Sequence, residues 1–325
     1  MNLYCLMCIF NSAAKFKSKY YFSMNAYLLY IEANNLVKQF GTEDQMDQIK
    51  KLHQVLEQML HSILFIGNIQ DSKCCPEDIF SNSELHDATK KLYPGPFKSY
   101  ETHLPKRTPF SYFLELVWTC VSPDEEMVKT TLCEVYRCHS HKKKKPLISP
   151  VICICEFGSS RYCGASLSCR SKTVGKIMTA VSCAHVWHRY VSSAVMTSIN
   201  TKRKRRRKNR SIKILCRVEC NAYCLKMKEP KKPCLRCHEL FSLPGHTRTK
   251  NYPGNCAETE AISNLLHAER SVSNQTIIIN GAFNQSVIKQ RMQAYFEEAI
   301  SEWRRNDPEQ NQSQYSLDKL YVPQQ

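Results

Sequence analysis

Glycine is scarce in this chain, with 9 in 325 residues. That is too few for a collagen-like or flexible low-complexity protein. Long apolar runs are missing as well. No stretch reaches the roughly eighteen uninterrupted apolar residues that a membrane-spanning helix needs, so no membrane association is expected. The opening "MNLYCLMCIF" has no basic lead-in, and its short apolar run breaks at "NSAAKFKSK", which makes a poor secretory signal. Acidic residues are thin in one region. Between Thr201 and Lys250 there are 17 Lys and Arg against 3 Asp and Glu, so +14 of the net +17 is concentrated there. A basic block this local suggests a polyanion partner, such as nucleic acid, or a nuclear-import signal.

Cysteine is abundant, with 18 residues. Without a secretory signal these read as reduced thiols in a nuclear or cytoplasmic protein, used for metal binding or core packing. Hydrophobic residues make up 42% of the chain, enough for a buried core in one large domain or two ordinary ones.

Periodicity divides the chain. In "DQIKKLHQVLEQMLHSILFI", Ile49, Leu52, Val55, Leu56, Met59, Leu60 and Ile63 recur at three- and four-residue steps, an amphipathic helix within a helical region over 1–73. Pro and Ser punctuate 74–110, a connector. An α/β domain follows over 111–306. "SYFLELVWTCV" fits a buried strand or a short helix, and "TLCEVYRC" alternates like a half-buried strand. "SPVICICEFGSSRYCGASLSC" reads as strand, turn and strand, its first strand apolar on both faces and therefore central. "TVGKIMTAVSCAHVWHRYVSSAVM" reads as one helix, "SIKILCRVECNAYCLKM" as a strand, "QTIIINGAF" as a strand and "QSVIKQRMQAYFEEAISEWRR" as a helix. The alternation predicts α/β architecture, with a helical N-terminal region and then a layered sheet-and-helix domain. Within it, 202–210 is a basic loop: Lys202, Arg203, Lys204, Arg205, Arg206, Arg207 and Lys208 admit no burial, and they suit nuclear import or phosphate contacts. The polar tail over 307–325 reads as disordered.

The chemistry gathers in "PKKPCLRCHELFSLPGHTRTKNYPGNCAETEAISNLL", Pro230 to Leu266. Cys234 and Cys237 are spaced to face one tetrahedral ion, and Cys256 opens a helix whose amides favour a thiolate, with Asn255 as its cap. Three thiolates leave zinc one open position for water, which is what a catalytic site requires. Glu258, two residues past Cys256, is placed to shuttle a proton without binding the metal. The rival arrangement is a closed knot of Cys220, Cys224, Cys234 and Cys237, which would leave no position for water. The third is core packing, since free cysteine is often buried.

At these residues the stretch resembles the zinc-dependent deaminases of cytidine and nucleic-acid bases. Those carry a His- or Cys-x-Glu at the start of one helix and Pro-Cys-x-x-Cys at the start of the next. Cys256-Ala257-Glu258 is similar to the first motif and Pro233-Cys234-Leu235-Arg236-Cys237 to the second. The resemblance implies a deaminase-like domain in which Cys234, Cys237 and Cys256 hold Zn2+ and Glu258 is the general acid and base. In this chain the Pro-Cys-x-x-Cys comes first, with eighteen residues between Cys237 and Cys256, the reverse of the family order. A metal does not read chain order. The expected function is deamination of a nucleobase, with the neighbouring basic loop favouring a base in nucleic acid over a free nucleoside. The alternative is a non-catalytic, zinc-binding basic protein that binds nucleic acid in the nucleus. A third class is an inactive relative that keeps the fold for protein contacts.

Overall fold

The computed structural model describes residues 3–40, 45–121, 124–139, 146–169, 171–199, 211–281, 283–306 and 315–323. The chain divides into two compact units. The first comprises Met1–Ile148, Cys169–Val174 and Ser301–Gln325, and the second Ser149–Ser168 and Gly175–Ile300.

The first unit is helical: α1 (Leu3–Gln39), α2 (Met46–Asn68), α3 (Pro76–Ile79), α4 (Ser83–Leu92), α5 (Pro94–Ser99), α6 (Pro109–Val121) and α7 (Glu125–Cys138). The stripe read from the sequence is its centre. Leu52, Leu56, Met59, Leu60 and Ile63 of α2 are fully buried, and α2 packs on α1, α5 and α6. The segment 74–110 holds the short helices α3 to α5. Of the two readings of "SYFLELVWTCV", the helix is correct.

Two expectations are corrected in this unit. The segment read as the strand "TLCEVYRC" lies in α7. Its buried residues Val128, Leu132 and Val135 also fit helical spacing, Asp124 caps the helix by accepting from the Glu126 and Met127 amides, and Lys129 pairs with Glu125. The tail expected to be disordered carries Tyr315, Leu317 and Tyr321, all buried. The Tyr315 hydroxyl accepts from Asn68 and donates to the Tyr100 carbonyl, and the Tyr321 hydroxyl donates to Glu57. Three apolar residues spaced among polar ones give no periodic signal, yet each finds a slot.

The second unit contains β1 (Val151–Phe157), β2 (Ser160–Ala165), most of α8 (Lys172–His185), α9 (Arg189–Ile199), β3 (Ser211–Ile214), β4 (Glu219–Cys224), β5 (Glu229–Lys231), α10 (Leu235–Phe241), α11 (Ala257–Ala268), α12 (Arg270–Asn274), β6 (Thr276–Ile279) and most of α13 (Gln285–Asn306). One sheet runs β2-β1-β4-β5 and is antiparallel throughout; β3 and β6 form a second antiparallel pair. The central position expected for β1 is met, because β2 and β4 flank it. The single strand expected over "SIKILCRVECNAYCLKM" is two strands in different sheets, and the single helix after β2 is α8 and α9, broken at Val186–His188. A helical N-terminal region followed by antiparallel sheets packed against helices is the mixed α/β class expected from the sequence.

What positions the site is the seat of α11 on β1 and β2. Gly164 of β2 lies directly under the helix, where a Cβ would come within 2.3 Å of the Ala261 nitrogen. Two polar stitches flank this contact. The Ala165 amide donates to the Glu260 carboxylate at 2.8 Å, and the Asn264 side chain donates to the Cys163 carbonyl at 2.9 Å. Among the described residues no helix is long and apolar enough to cross a membrane.

Candidate metal centre

Two helix starts bring the thiols together. At the first, Cys234 holds extended backbone (φ −74°, ψ 163°) as the N-cap of α10, and its Sγ accepts from the Cys237 amide. The two-residue spacer thus folds Cys237 back over Cys234. At the second, Gly254 turns the chain at φ +85°, against the Trp187 ring, where any side chain would be strained and would meet that ring at 2.9 Å. Cys256 follows as the N-cap of α11 (φ −89°, ψ 148°), with Glu258 in the first turn. The cap expected at Asn255 is therefore one residue later. The Asn255 carbonyl instead accepts from the Leu167 amide, tying this turn to the chain just after β2.

The sulfurs of Cys234, Cys237 and Cys256 lie within 4.8 Å of one another and all three residues are buried. Cys234 and Cys256 are 3.6 Å apart. Sulfurs sharing one tetrahedral zinc stand about 3.8 Å apart, given a Zn–S bond of about 2.3 Å, so the spacing fits the ion. The Asn251 side chain donates to the Cys256 sulfur at 3.2 Å.

The electrostatics point the same way. Hydrogen bonding with the Cys237 and Cys256 thiols holds Cys234 well below the ordinary thiol range, helped by the Cys237 and Asn251 backbone. The same sharing holds Cys237 well up and pushes Cys256 up to about 12. Holding all three as thiolates, as metal ligation requires, calls for a cation. Glu258 is 4% exposed. Loss of water raises its pKa to about 7, with the Cys220 and Cys234 charges adding to the rise. A bound cation would act in the opposite direction.

Cys234, Cys256 and Glu258 line one cavity of about 240 Å³, together with Lys231, Lys232, Thr247, Thr249, Asn251 and Asn255. The recess is polar, with two lysines and several uncharged donors and acceptors around the thiols.

Cys220 and Cys224 do not join this centre. Both lie on β4, four residues apart, which separates them by roughly 13 Å along an extended strand, too far for one tetrahedral ion. Cys220 instead groups with Cys153 and Cys155, and Cys224 belongs to neither thiol group. The basic run Lys202 to Lys208 lies outside the described residues. His188 packs against Tyr190 and His267 and is not part of either thiol group. His267, at the far end of α11, bonds the Val186 carbonyl.

Sequence reasoning missed Asn251, Thr247 and Thr249, whose roles come from a loop that folds back over α10. The Thr247 amide donates to the Pro233 carbonyl and the Leu235 amide to the Thr249 carbonyl. It also read Cys153 and Cys155 only as strand residues. Their i, i+2 spacing signalled a shared face, but nothing in the sequence named the partner strand. Compared with protein-family models, with curated proteins and with solved structures, the chain matches none.

Proposed function

We propose that this chain is a zinc-dependent hydrolytic deaminase acting on a nucleobase in nucleic acid, with the two motifs of the deaminase superfamily in reversed order. The observation that carries the reading is convergence. Both motifs open helices, their three thiols meet within 4.8 Å of one another, and Cys234 and Cys256 line a recess that Glu258 also lines. That two segments in reversed chain order bring these side chains together supports the reading.

Cys234, Cys237 and Cys256 would hold the ion, which when bound supplies a Lewis acid with one position left for water. The remaining work falls to the protein. Glu258, buried in the recess beside the thiols, would take a proton from the attacking water and return it to the exocyclic amine, so that base and water become the oxo base and ammonia. Thr247, Thr249 and Asn251 offer donors and acceptors to a base edge. Lys231 and Lys232 at the same recess suit a phosphate backbone, which favours a base in a nucleic acid over a free nucleoside.

The test is ammonia release from single-stranded DNA and RNA by wild type and Glu258→Gln. The variant should keep its zinc and fold and lose turnover. Equal turnover in both would contradict the role of Glu258. A wild type that holds zinc and binds nucleic acid yet deaminates no base would favour the non-catalytic alternative.

A further inference from the structure

A second group of sulfurs lies on the sheet, outside the proposed catalytic set. Cys153 and Cys155 stand two apart on β1, so their side chains leave the same face. Cys220 on β4 is paired directly with Cys155. Gly164, paired with Cys153 across β1 and β2, meets the backbone of α11. The three thiols therefore sit on the sheet face that α11 covers. The Cys220 sulfur is 3.0 Å from that of Cys155 and 3.4 Å from that of Cys153. All three sulfurs lie within 4.8 Å of one another. Cys153 and Cys155 are fully buried and Cys220 is half-buried.

We propose that Cys153, Cys155 and Cys220 form a second metal site for one thiophilic divalent cation of the zinc class, distinct from the Cys234, Cys237 and Cys256 centre.

Several observations support this beyond proximity. The register opposes Cys155 to Cys220, and Cys153 brings a third sulfur to the same point, so three ligand atoms converge rather than the two that a cross-strand pair supplies. The donor set is all thiol, which selects soft ions over magnesium or calcium. Cys163 and Glu258 lie beside the group, and both are acids that oppose rather than offset a thiolate at Cys155. A divalent ion leaves three thiolates with a net single negative charge and a monovalent ion leaves them with two, and burial favours the smaller residue of charge. Binding displaces the thiol protons to solvent, as it does for any cysteine site. The ion would tie β1 to β4 beneath α11, stiffening the sheet under the helix that carries Cys256 and Glu258.

The experiment is zinc stoichiometry by elemental analysis on the full chain, reconstituted with excess zinc under reducing conditions and then desalted. Wild type should hold two equivalents. Cys155→Ala and Cys220→Ala should each hold one, Cys256→Ala should hold one, and Cys155→Ala combined with Cys256→Ala should hold none. One equivalent in wild type that persists in Cys220→Ala and is lost in Cys256→Ala would overturn the second site and leave the first intact. One equivalent lost in Cys220→Ala and kept in Cys256→Ala would support the second site and overturn the first. Should the variants fail to fold, wild type alone decides the matter by alkylation and peptide mapping. Zinc should slow alkylation of the half-buried Cys220, and a chelator should restore it. Equal labelling with and without zinc, or a Cys155–Cys220 disulfide in the zinc-loaded protein, would overturn the proposal.

Discussion

Gly164→Ala should disturb the metal centre without touching a ligand. A methyl at this position would lie 2.3 Å from the Ala261 nitrogen, 2.7 Å from the Ala257 oxygen and 2.9 Å from the Glu260 carbonyl carbon. All three atoms belong to the backbone of α11, so no rotamer change relieves the clash. Restoring an ordinary 3.4 Å contact requires the helix to withdraw by about 1 Å. Overpacking of this kind destabilises by about 1–3 kcal/mol, and the upper end is expected because backbone must move. In thermal denaturation that lowers Tm by roughly 3–9 °C. The same displacement carries Cys256 and Glu258, and it exceeds the ~0.2 Å tolerance of a metal–ligand distance. Zinc affinity, measured by competition with a chromophoric chelator, should fall by about 10–100-fold, the range seen when the support of a ligand is lost. A variant with wild-type Tm and wild-type zinc affinity would refute the seating of α11 on β2 as the element that sets the site.

Other predictions concern both units. His61 is fully buried, stacked on Tyr321 at 4.0 Å between ring centroids, and desolvation lowers its pKa to about 3. A histidine held neutral in the fold contributes stability above its unfolded pKa of about 6.5 that is lost as pH falls toward 3, which amounts to about 2 kcal/mol by pH 5. His61→Phe should therefore flatten the acid limb of urea stability between pH 6.5 and 4, and an unchanged limb would contradict the assignment. Truncation after Gln314 removes the buried Tyr315, Leu317 and Tyr321 side chains and should destabilise the helical unit by at least about 3 kcal/mol; a truncated chain as stable as the full one would show that the tail adds nothing. Asn251→Leu removes the donor to the Cys256 sulfur and should weaken zinc binding by about 10-fold while leaving Tm of the metal-free protein within about 1 °C, as read by zinc titration and calorimetry.

The first thiol centre was legible because its chemistry is local. Pro-Cys-x-x-Cys and Cys-Ala-Glu each encode a helix start within five residues, and a helix start fixes where its first side chains point. The second group was not legible, since Cys153 and Cys155 meet Cys220 only through the register of β1 on β4, some sixty-five residues apart in the chain. Long-range strand pairing leaves no trace in a single sequence beyond alternation, and alternation misleads when it coincides with helical spacing, as in α7. There the information that decided for a helix was the Asp124 cap and the Glu125–Lys129 pair. The break between β3 and β4 was hidden for a related reason. Residues 211–224 are strand-like throughout, but Ser211–Ile214 pairs with Thr276–Ile279 while Glu219–Cys224 pairs with β1, and only the partners reveal two sheets.

The measurement that bears most directly on the proposed centre is the zinc content of Cys256→Ser beside wild type, both verified as folded. If Cys256 completes the ligand set with Cys234 and Cys237, the variant should hold one zinc fewer than wild type, with the ion on the sheet retained. Zinc content unchanged by the substitution would contradict the centre, and with it the role of Glu258 in the recess.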